Sequence, residues 1–495
     1  MSDVLVVVGP GVVADSGLLA EIAGREFAAL GVRGGLVRAR DAAHLRSLVR
    51  EAGPAVVVPG PSQEARALIG QSPGGAVWVD IERVPGAGHI HGRGVAGVAW
   101  GIRHAVHRAR HPGVCRIAYG PSPEQWGELY VPEGSGKAPV VALVHGGYWR
   151  SNWAADLMEG ICADLVGRGF AVWNLEYRRP DLHGWPATTA DLAAGLSVLH
   201  SADLAAGLSA PYGADLAAGL SAPYGADLAA GLSAPYGADL AAGQAALHGA
   251  DLAAGQAAPR RADLAPGSAA LHPSLDLDRV AVVGHSAGAQ LALRAVADGA
   301  RVALAVSLAG VLDLVEGDRR WLSSGAVAAA LGTHPSTGPG PGPGPGHGPG
   351  PGSGHGPGSG HGPGSGHGPG PGPGPGHDPG PGHGPATGSG PGIGAAAGPA
   401  AGVDGVYLAA SPLLRLPLGV PQLIVQGAAD DLDLVDFSRR YADAAQQAGD
   451  DVTYLEMPGD HFDVITPATP IWQATAQAIT DALTWTEPRK QSAPR

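Results

Sequence analysis

The chain has 495 residues, among them 81 glycines and 45 prolines, and its formal net charge is −13. Glycine and proline at about a quarter of the chain are typical of low-complexity sequence. A hydrophobic share of 44% is more than a wholly disordered chain carries. Together these values predict a globular protein that carries low-complexity inserts.

Several classes of protein are disfavoured by the same sequence. The acidic balance and the lack of a Lys/Arg-rich run argue against a nucleic-acid partner. No apolar run reaches the ~18 residues of a membrane span, so no membrane association is expected. Met1-Ser2-Asp3 lacks the basic start of a signal peptide, and Cys115 and Cys162 are too few for a disulfide framework. We therefore expect a cytoplasmic protein.

A 12-residue unit recurs between residues 190 and 273, and copies beginning at Ala202, Ala214 and Ala226 are identical, ADLAAGLSAPYG. Two interpretations are open. Stacked units can form a solenoid, or one helix has been expanded in tandem within a loop. Glycine interrupts every unit and proline most of them, which favours the second interpretation and predicts an insert over residues 202–273.

Residues 338–400 form a second insert, in which glycine alternates with proline. Such a segment cannot bury a core, so we predict an extended, disordered linker. Histidines are spaced through it, and such tracts can bind transition metals. Without fixed geometry such a site is weak, so no metal is assigned to these residues: His347, His355, His361, His367, His377 and His383.

Residues 1–112 are predicted to form a small domain of alternating strands and helices. Apolar runs at residues 4–8, 55–58 and 76–81 predict strands, and residues 18–30 and 95–106 have helical spacing. Alternating elements of this kind form a parallel α/β layer.

Three segments of this domain resemble type II 3-dehydroquinate dehydratase: Val8-Gly9-Pro10-Gly11, Val58-Pro59-Gly60 and His91-Gly92-Arg93-Gly94-Val95-Ala96-Gly97. The resemblance implies a flavodoxin-like fold. Val8 and Gly11 stand where that family has asparagine, and its later Asn/His segment is shortened to residues 79–83. No matching set of catalytic residues is present. We therefore expect a non-catalytic docking module, through which the chain could form a homo-oligomer.

Residues 113–489, followed by a tail at 490–495, are predicted to form the second domain. Four of its apolar strands are each followed by residues suited to chemistry. The segments after them are His145-Gly146-Gly147-Tyr148-Trp149, Gly284-His285-Ser286-Ala287-Gly288, Gly427-Ala428-Ala429-Asp430 and Gly459-Asp460-His461. Sites in open parallel sheets collect at the carboxyl ends of strands, so we expect these segments to meet.

Ser286 lies in a G-x-S-x-G motif between an apolar strand and a helix, which is the context of a nucleophile elbow. A serine nucleophile needs a base and an acid that orients the base. The order Ser286, Asp430, His461 supplies both. The Gly-x-x-Asp spacing favours Asp430 as the acid over Asp431, and Asp463 is a weaker candidate.

The glycines after the first of these strands predict an oxyanion hole. Backbone N–H groups of Gly146, Gly147 and Ala287 can meet the negative oxygen of a tetrahedral intermediate. His145 is expected to brace the loop. Tyr148 and Trp149 are candidates for the substrate pocket, and packing is an equally open role for both.

The combination of HGGYW, GHSAG and a late Asp and His resembles the α/β-hydrolase superfamily, in the branch with esterases, feruloyl-esterase-like enzymes and arylformamidases. Residues 173–179 and 184–188 resemble the same branch, whereas Gln426 replaces a histidine common there. The resemblance implies a serine hydrolase that cleaves a small carboxylic ester or aryl formamide without metal or cofactor. A peptidase of the same fold and a non-catalytic binding module are the alternatives.

Overall fold

The computed structural model describes residues 3–71, 75–84, 88–134, 136–200, 274–332 and 404–484. The predicted inserts at 202–273 and 338–400, the linker histidines and the tail at 490–495 lie outside the described residues. Within the described ranges, no helix is both long enough and apolar enough to cross a membrane.

The first domain alternates strands with helices, as predicted. Its described elements are β1 (Val4–Val8), α1 (Ser16–Leu30), β2 (Gly34–Arg38), α2 (Ala42–Glu51), β3 (Ala55–Val58), α3 (Gln63–Arg66), β4 (Val77–Asp80), β5 (Ile90–His91) and α4 (Ala96–Arg110). The strands pair in parallel in the order β2-β1-β3-β4-β5. This is the flavodoxin-like order, so the predicted fold class of this domain is confirmed.

Short polar side chains fix where the helices of this domain begin. The Asp15 carboxylate accepts a hydrogen bond from Leu18 N–H before α1, and Asp41 accepts one from His44 N–H before α2. Each satisfies a backbone donor that the first helical turn leaves unpaired. After α1 the chain turns at Gly31, whose φ of 62° suits glycine.

The second domain is a larger mixed sheet covered by helices. Its described elements are β6 (Cys115–Ala118), β7 (Trp126–Tyr130), β8 (Ala138–Val144), α5 (Glu159–Gly167), β9 (Ala171–Leu175), α6 (Pro180–His183), α7 (Trp185–Ser197), β10 (Leu275–His285), α8 (Ala287–Ala297), β11 (Leu304–Leu308), α9 (Leu314–Arg319), α10 (Leu322–Leu331), α11 (Gly405–Ala410), β12 (Gln422–Gly427), α12 (Leu432–Gln447), β13 (Val452–Met457) and α13 (Pro470–Thr484).

The strands of this sheet lie in the order β13-β12-β11-β10-β8-β9-β7-β6, and β7 runs antiparallel to both of its neighbours. The central strands β8, β10, β11 and β12 are buried nearly throughout, because helices cover both faces of the parallel part. This arrangement confirms the predicted α/β-hydrolase fold class. The carboxyl ends of β8, β10, β12 and β13 therefore point to one edge of the sheet.

The described residues of the two domains lie in one compact unit. The boundary predicted after residue 112 falls between α4 and β6. Helix α4 packs against the second domain, where His104 Nδ1 lies 2.6 Å from the Glu159 carboxylate and His107 Nε2 lies 3.0 Å from the Tyr130 hydroxyl. The first domain thus has one face occupied within its own chain.

Candidate active site

Ser286 lies in a sharp turn between β10 and α8. Its backbone has φ 56° and ψ −122°, a left-handed conformation that a non-glycine residue adopts at a cost of about 1–3 kcal/mol. A Cβ on Gly284 would lie 2.2 Å from Gly288 O, and one on Gly288 would lie 2.2 Å from Val144 O. Both glycines of the motif are therefore required by the close contact of strand, turn and helix.

Asp430 and His461 form a hydrogen-bonded pair at the same edge of the sheet. His461 Nδ1 lies 2.9 Å from Asp430 Oδ2, and the Asp430 side chain is almost fully buried. The loops that carry the two residues pack closely, since a Cβ on Gly427 would lie 2.5 Å from Gly459 O. The carboxylate can only accept here, so Nδ1 carries the proton and Nε2 keeps its lone pair.

Two further donors hold the Asp430 carboxylate. Asp431 N–H donates to Oδ1 at 2.7 Å, and Gln426 Nε2 donates to Oδ2 at 2.9 Å. Burial by itself raises the pKa of Asp430, but the hydrogen bonds from His461, Asp431 and Gln426 outweigh it and hold the pKa below its ordinary value. The acid is therefore ionised at neutral pH.

The other two acid candidates are engaged elsewhere. The Asp431 carboxylate accepts from Asp433 N–H and caps α12, and the Asp463 carboxylate accepts from Asp460 N–H. Of the three predicted candidates, Asp430 is the one that the structure brings to His461.

The Ser286 hydroxyl is buried and makes no hydrogen bond to a described residue. Its neighbour His285 connects the elbow to the base loop, because His285 Nε2 lies 3.0 Å from the His461 carbonyl oxygen and the two rings are 4.7 Å apart. A carbonyl only accepts, so His285 Nε2 carries a proton. The residue before Ser286 therefore contacts the His461 loop, whereas the Ser286 hydroxyl makes no hydrogen bond to Asp430 or His461.

Two further buried histidines border the site. Burial, with added repulsion from Arg179, lowers the pKa of His145 to about 3. Burial, with added repulsion from His461, lowers the pKa of His285 to about 3. Both are therefore neutral and poor bases at neutral pH, and the partly exposed His461 stays the candidate base.

Gly146 and Gly147 follow β8 and face the elbow. A Cβ on Gly146 would lie 2.6 Å from His285 O and 2.8 Å from Ser286 Cβ. Gly147 has φ 115°, and a Cβ there would lie 2.3 Å from Trp153 Cβ. Neither N–H donates a hydrogen bond to a described residue. The Ala287 N–H opens helix α8, where the first donors have no intrahelical acceptor.

His145 braces this turn from within the core. It is fully buried, its Nδ1 lies 2.8 Å from Gly146 O, and its ring stacks on Tyr177 at 4.4 Å. The Tyr177 hydroxyl donates to His145 O at 2.7 Å. The role predicted for His145 thus agrees with its contacts.

Tyr148 and Trp149 have different surroundings. Trp149 is 2% exposed, and its indole N–H donates to Gln290 Oε1 at 2.9 Å, so packing accounts for most of this side chain. Tyr148 is half-buried, and burial, followed by the Asp431 and Asp430 carboxylates, raises its pKa to about 12. A cleft of about 260 Å³ opens here, lined by Tyr148, Trp149, Arg150, Asp181, Ala326, Ala329 and Ala330.

The sequence analysis did not assign a role at this site to His285, Trp153 or Phe462. Phe462 packs edge-on against His461 at 5.4 Å, and Trp153 lies against Gly147. Gln426 was named only as a departure from a family pattern, yet it donates to the acid. Its position directly before Gly427 of the acid loop was the one signal in the sequence, and the structure shows it fully buried.

In the first domain, the segments that resemble the dehydratase pack against each other. A Cβ on Gly9 would lie 2.2 Å from Pro59 O, and one on Gly60 would lie 2.6 Å from Val12 Cγ2. The loops after β1 and β3 therefore fill the place between them, where ligands bind in flavodoxin-like sheets.

A family model described as BD-FAE matches residues 128–224, which include the Gly146–Gly147 turn. No curated protein matches the chain. Among solved structures, a carbohydrate esterase from gut microbiota is 14% identical, with 75% of this chain and 96% of that chain covered and a TM-score of 0.43. A bacterial heroin esterase is 16% identical, with 75% and 83% covered and a TM-score of 0.41.

A bifunctional GH43-CE protein of Bacteroides eggerthii is 13% identical, with a TM-score of 0.43. The match covers 74% of this chain, which spans only 35% of that protein. Identities and TM-scores this low indicate neither a substrate nor a mechanism.

Proposed function

We propose that the chain is a serine hydrolase that cleaves a small carboxylic ester or aryl formamide through an acyl-enzyme. The observation that carries this proposal is the strained backbone of Ser286, which lies against Gly146 and directly follows His285, a residue in contact with the His461 loop. A strained residue at the end of a central strand persists only where the surrounding structure enforces it. A nucleophile elbow explains why it is enforced here.

In the first step Ser286 Oγ attacks the substrate carbonyl carbon and His461 Nε2 takes the hydroxyl proton. His461 then gives this proton to the leaving alcohol or amine, which departs and leaves the acyl group on Oγ. In the second step His461 takes a proton from water, and the resulting hydroxide attacks the acyl carbon. Ser286 Oγ regains a proton from His461 as the acyl group leaves it as a carboxylic acid. Asp430 stays ionised and holds the imidazole in the required tautomer.

The negative oxygen formed in both steps needs backbone donors at a fixed place. Gly146 of the β8 turn lies against Ser286, Gly147 is the next residue in that turn, and Ala287 follows Ser286 at the start of α8. Each such donor is worth about 10²–10³ in kcat in serine hydrolases. The lack of side chains at Gly146 and Gly147 lets the backbone approach the substrate.

The cleft beside Tyr148 is the proposed substrate pocket. Its wall from α10 consists of Ala326, Ala329 and Ala330, which suits an apolar acyl or aryl group. The Tyr148 hydroxyl stays protonated because its pKa is raised to about 12, so it can donate to a polar group of the substrate. A small pocket of this kind favours small esters and formamides over peptides.

Turnover of p-nitrophenyl esters of increasing chain length, of N-formyl-kynurenine and of a peptide p-nitroanilide tests the proposal. We expect an ester or formamide to be cleaved with a burst of one leaving group per site. Ser286→Ala should lower kcat by at least about 10³. Ser307→Ala is the matched control, because Ser307 is a buried serine on the neighbouring strand β11. Equal turnover by wild type and Ser286→Ala would contradict the proposal.

A further inference from the structure

Arg93 of the first domain reaches into the second domain. It lies in the turn between β5 and α4, and its Nη1 and Nη2 donate to the two Asp156 carboxylate oxygens at 2.6 and 2.9 Å. Its Nε donates to the Asn152 carbonyl at 2.7 Å. The side chains are 2% and 7% exposed. A buried two-point ion pair of this kind fixes both position and angle.

The segment that Arg93 holds is the β8 loop (residues 145–156), which begins at the proposed oxyanion hole. The guanidinium lies 4.5 Å from the centre of the Trp153 ring, within the range of a cation–π contact. Trp153 in turn lies against Gly147, where an added Cβ would be 2.3 Å away. Arg93 is thus one side chain removed from a proposed oxyanion donor.

The far end of the β8 loop is held from the second domain itself. Ala155 N–H donates to Glu176 Oε2 at 2.8 Å, and Asn174 Nδ2 donates to Ala155 O at 3.0 Å. The other oxygen of Glu176 lies 3.5 Å from His145 Nε2. The second domain also holds the loop at Trp149, Arg150 and Ser151. Arg93 adds the contacts at Asn152, Trp153 and Asp156.

Trp100 of α4 makes the second connection from the first domain. Its ring lies 5.7 Å from Trp153, edge-on, and 6.0 Å from Phe462, the residue after His461. Trp100 also packs against the hydrophobic cores of both domains. The first domain consequently contacts two loops of the proposed site, the β8 loop and the loop that carries His461.

We propose that Arg93 is a positioning residue for the hydrolase site, which holds the oxyanion donors through Trp153 and Asp156, with Trp100 as the apolar support of the same contact. The first domain is then a fixed part of the enzyme, required for full kcat. This inference rests on the proposed serine hydrolase function. It assigns a role to the His91–Gly97 segment that the dehydratase resemblance leaves without one.

Arg93→Met, which keeps the length of the side chain and removes the guanidinium, tests the inference in the full chain. The matched control is Arg103→Met. Arg103 also pairs at two points with a carboxylate, that of Glu26, at 2.7 and 2.8 Å. It lies 4.8 Å from the centre of the Trp100 ring. Both partners of Arg103 are in the first domain. The Arg103 side chain is 47% exposed and that of Arg93 only 2%, so the control removes its ion pair at a smaller cost in stability. Urea unfolding of both variants therefore separates a loss of stability from a loss of positioning.

The readouts are kcat and KM per titrated active site and the inhibition constant of a trifluoromethyl ketone, whose adduct with serine carries the oxyanion. For Arg93→Met we expect kcat to fall by about 10–100-fold with KM little changed, as for a misplaced catalytic group. The ketone should lose affinity by the same factor as kcat/KM. Arg103→Met should keep the wild-type kcat and ketone affinity.

An Arg93→Met enzyme with wild-type kcat and ketone affinity would overturn the inference, and so would an equal fall of kcat in Arg103→Met. If Arg93→Met does not fold, Arg93→Lys is measured instead, because it keeps the charge and loses the two-point contact. A reduced kcat in Arg93→Lys supports the inference, and an unchanged kcat overturns it. Failure of the proposed function differs from failure of this inference, because wild type and Ser286→Ala would then be equally inactive.

Discussion

His285 Nε2 donates a hydrogen bond to the carbonyl oxygen of His461 at 3.0 Å. The residue before the proposed nucleophile thereby holds the backbone of the proposed base. Because burial lowers the pKa of His285 to about 3, the ring is neutral at working pH and the contact does not place a second positive charge beside the charged imidazole that forms during catalysis.

We expect His285→Phe to lower kcat about tenfold, because an unpaired buried carbonyl costs about 1–3 kcal/mol and lets the base loop shift. The phenyl ring keeps the size and the stacking of the imidazole, so the thermal midpoint should fall only by the few degrees that the unpaired carbonyl costs. Steady-state kinetics per titrated site measures the effect. An unchanged kcat in this variant would mean that the His461 loop is positioned without His285.

Gly146→Ala tests the oxyanion turn directly. The new Cβ would lie 2.6 Å from His285 O and 2.8 Å from Ser286 Cβ, so the turn must move away from the nucleophile. We expect kcat to fall at least about 100-fold, the effect of losing one oxyanion donor. Gly136→Ala is the control, since nothing lies within 4 Å of its Cβ position. Full activity of Gly146→Ala would contradict the assigned hole.

His107 predicts how stability depends on pH. Burial, with repulsion from His111, lowers its pKa to about 3. The unfolded chain therefore binds a proton below about pH 6.5 that the folded chain does not, so the free energy of unfolding decreases as pH falls from 6.5 towards 3. His107→Gln removes this titrating group. Its free energy of unfolding should therefore fall by about 2 kcal/mol less than that of wild type between about pH 6.5 and 5.

Urea unfolding of the full chain at the two pH values measures this difference. Glutamine can still donate to the Tyr130 hydroxyl, which His107 Nε2 contacts at 3.0 Å, so the comparison at neutral pH controls for lost packing. Equal losses in wild type and variant would show that His107 is protonated in the folded chain.

Deletion of residues 338–400 should leave hydrolysis intact. Helix α11, which follows this segment, is joined to α9, which lies before α10, because the Tyr407 hydroxyl of α11 is hydrogen-bonded to the Asp318 carboxylate of α9. Loop length has a small cost, about 0.6 kcal/mol for each doubling. The measurement is kcat/KM of the deleted chain on the preferred substrate. Loss of activity with a native circular dichroism spectrum would assign the segment a working role.

The residues proposed for catalysis could be predicted because each follows an apolar strand. Ser286, Asp430 and His461 come directly after β10, β12 and β13, and parallel strands bring such ends to one edge. Strand β11 was not predicted. Its sequence, LAVSL, lies in an apolar, alanine-rich stretch whose periodicity does not distinguish a strand from a buried helix. The exposed strand β2 lacks an apolar run altogether.

The contact between the domains could not be predicted from sequence. Arg93 and Asp156 are 63 positions apart, and no spacing rule connects them. The resemblance to the dehydratase drew attention to the His91–Gly97 segment as a degenerate motif, whereas its arginine is buried in the neighbouring domain. The expected docking or oligomerisation role of the first domain stays a prediction, and any such surface must lie away from the face that α4 uses within the chain.

The central claim, that Ser286 is the nucleophile, is tested most directly by labelling with a fluorophosphonate and locating the adduct by peptide mass spectrometry. We predict one equivalent of label on the peptide that contains Ser286, none in Ser286→Ala, and unchanged labelling in Ser307→Ala. A native protein that takes up no label, or that carries it on another residue in both wild type and Ser286→Ala, would contradict the account.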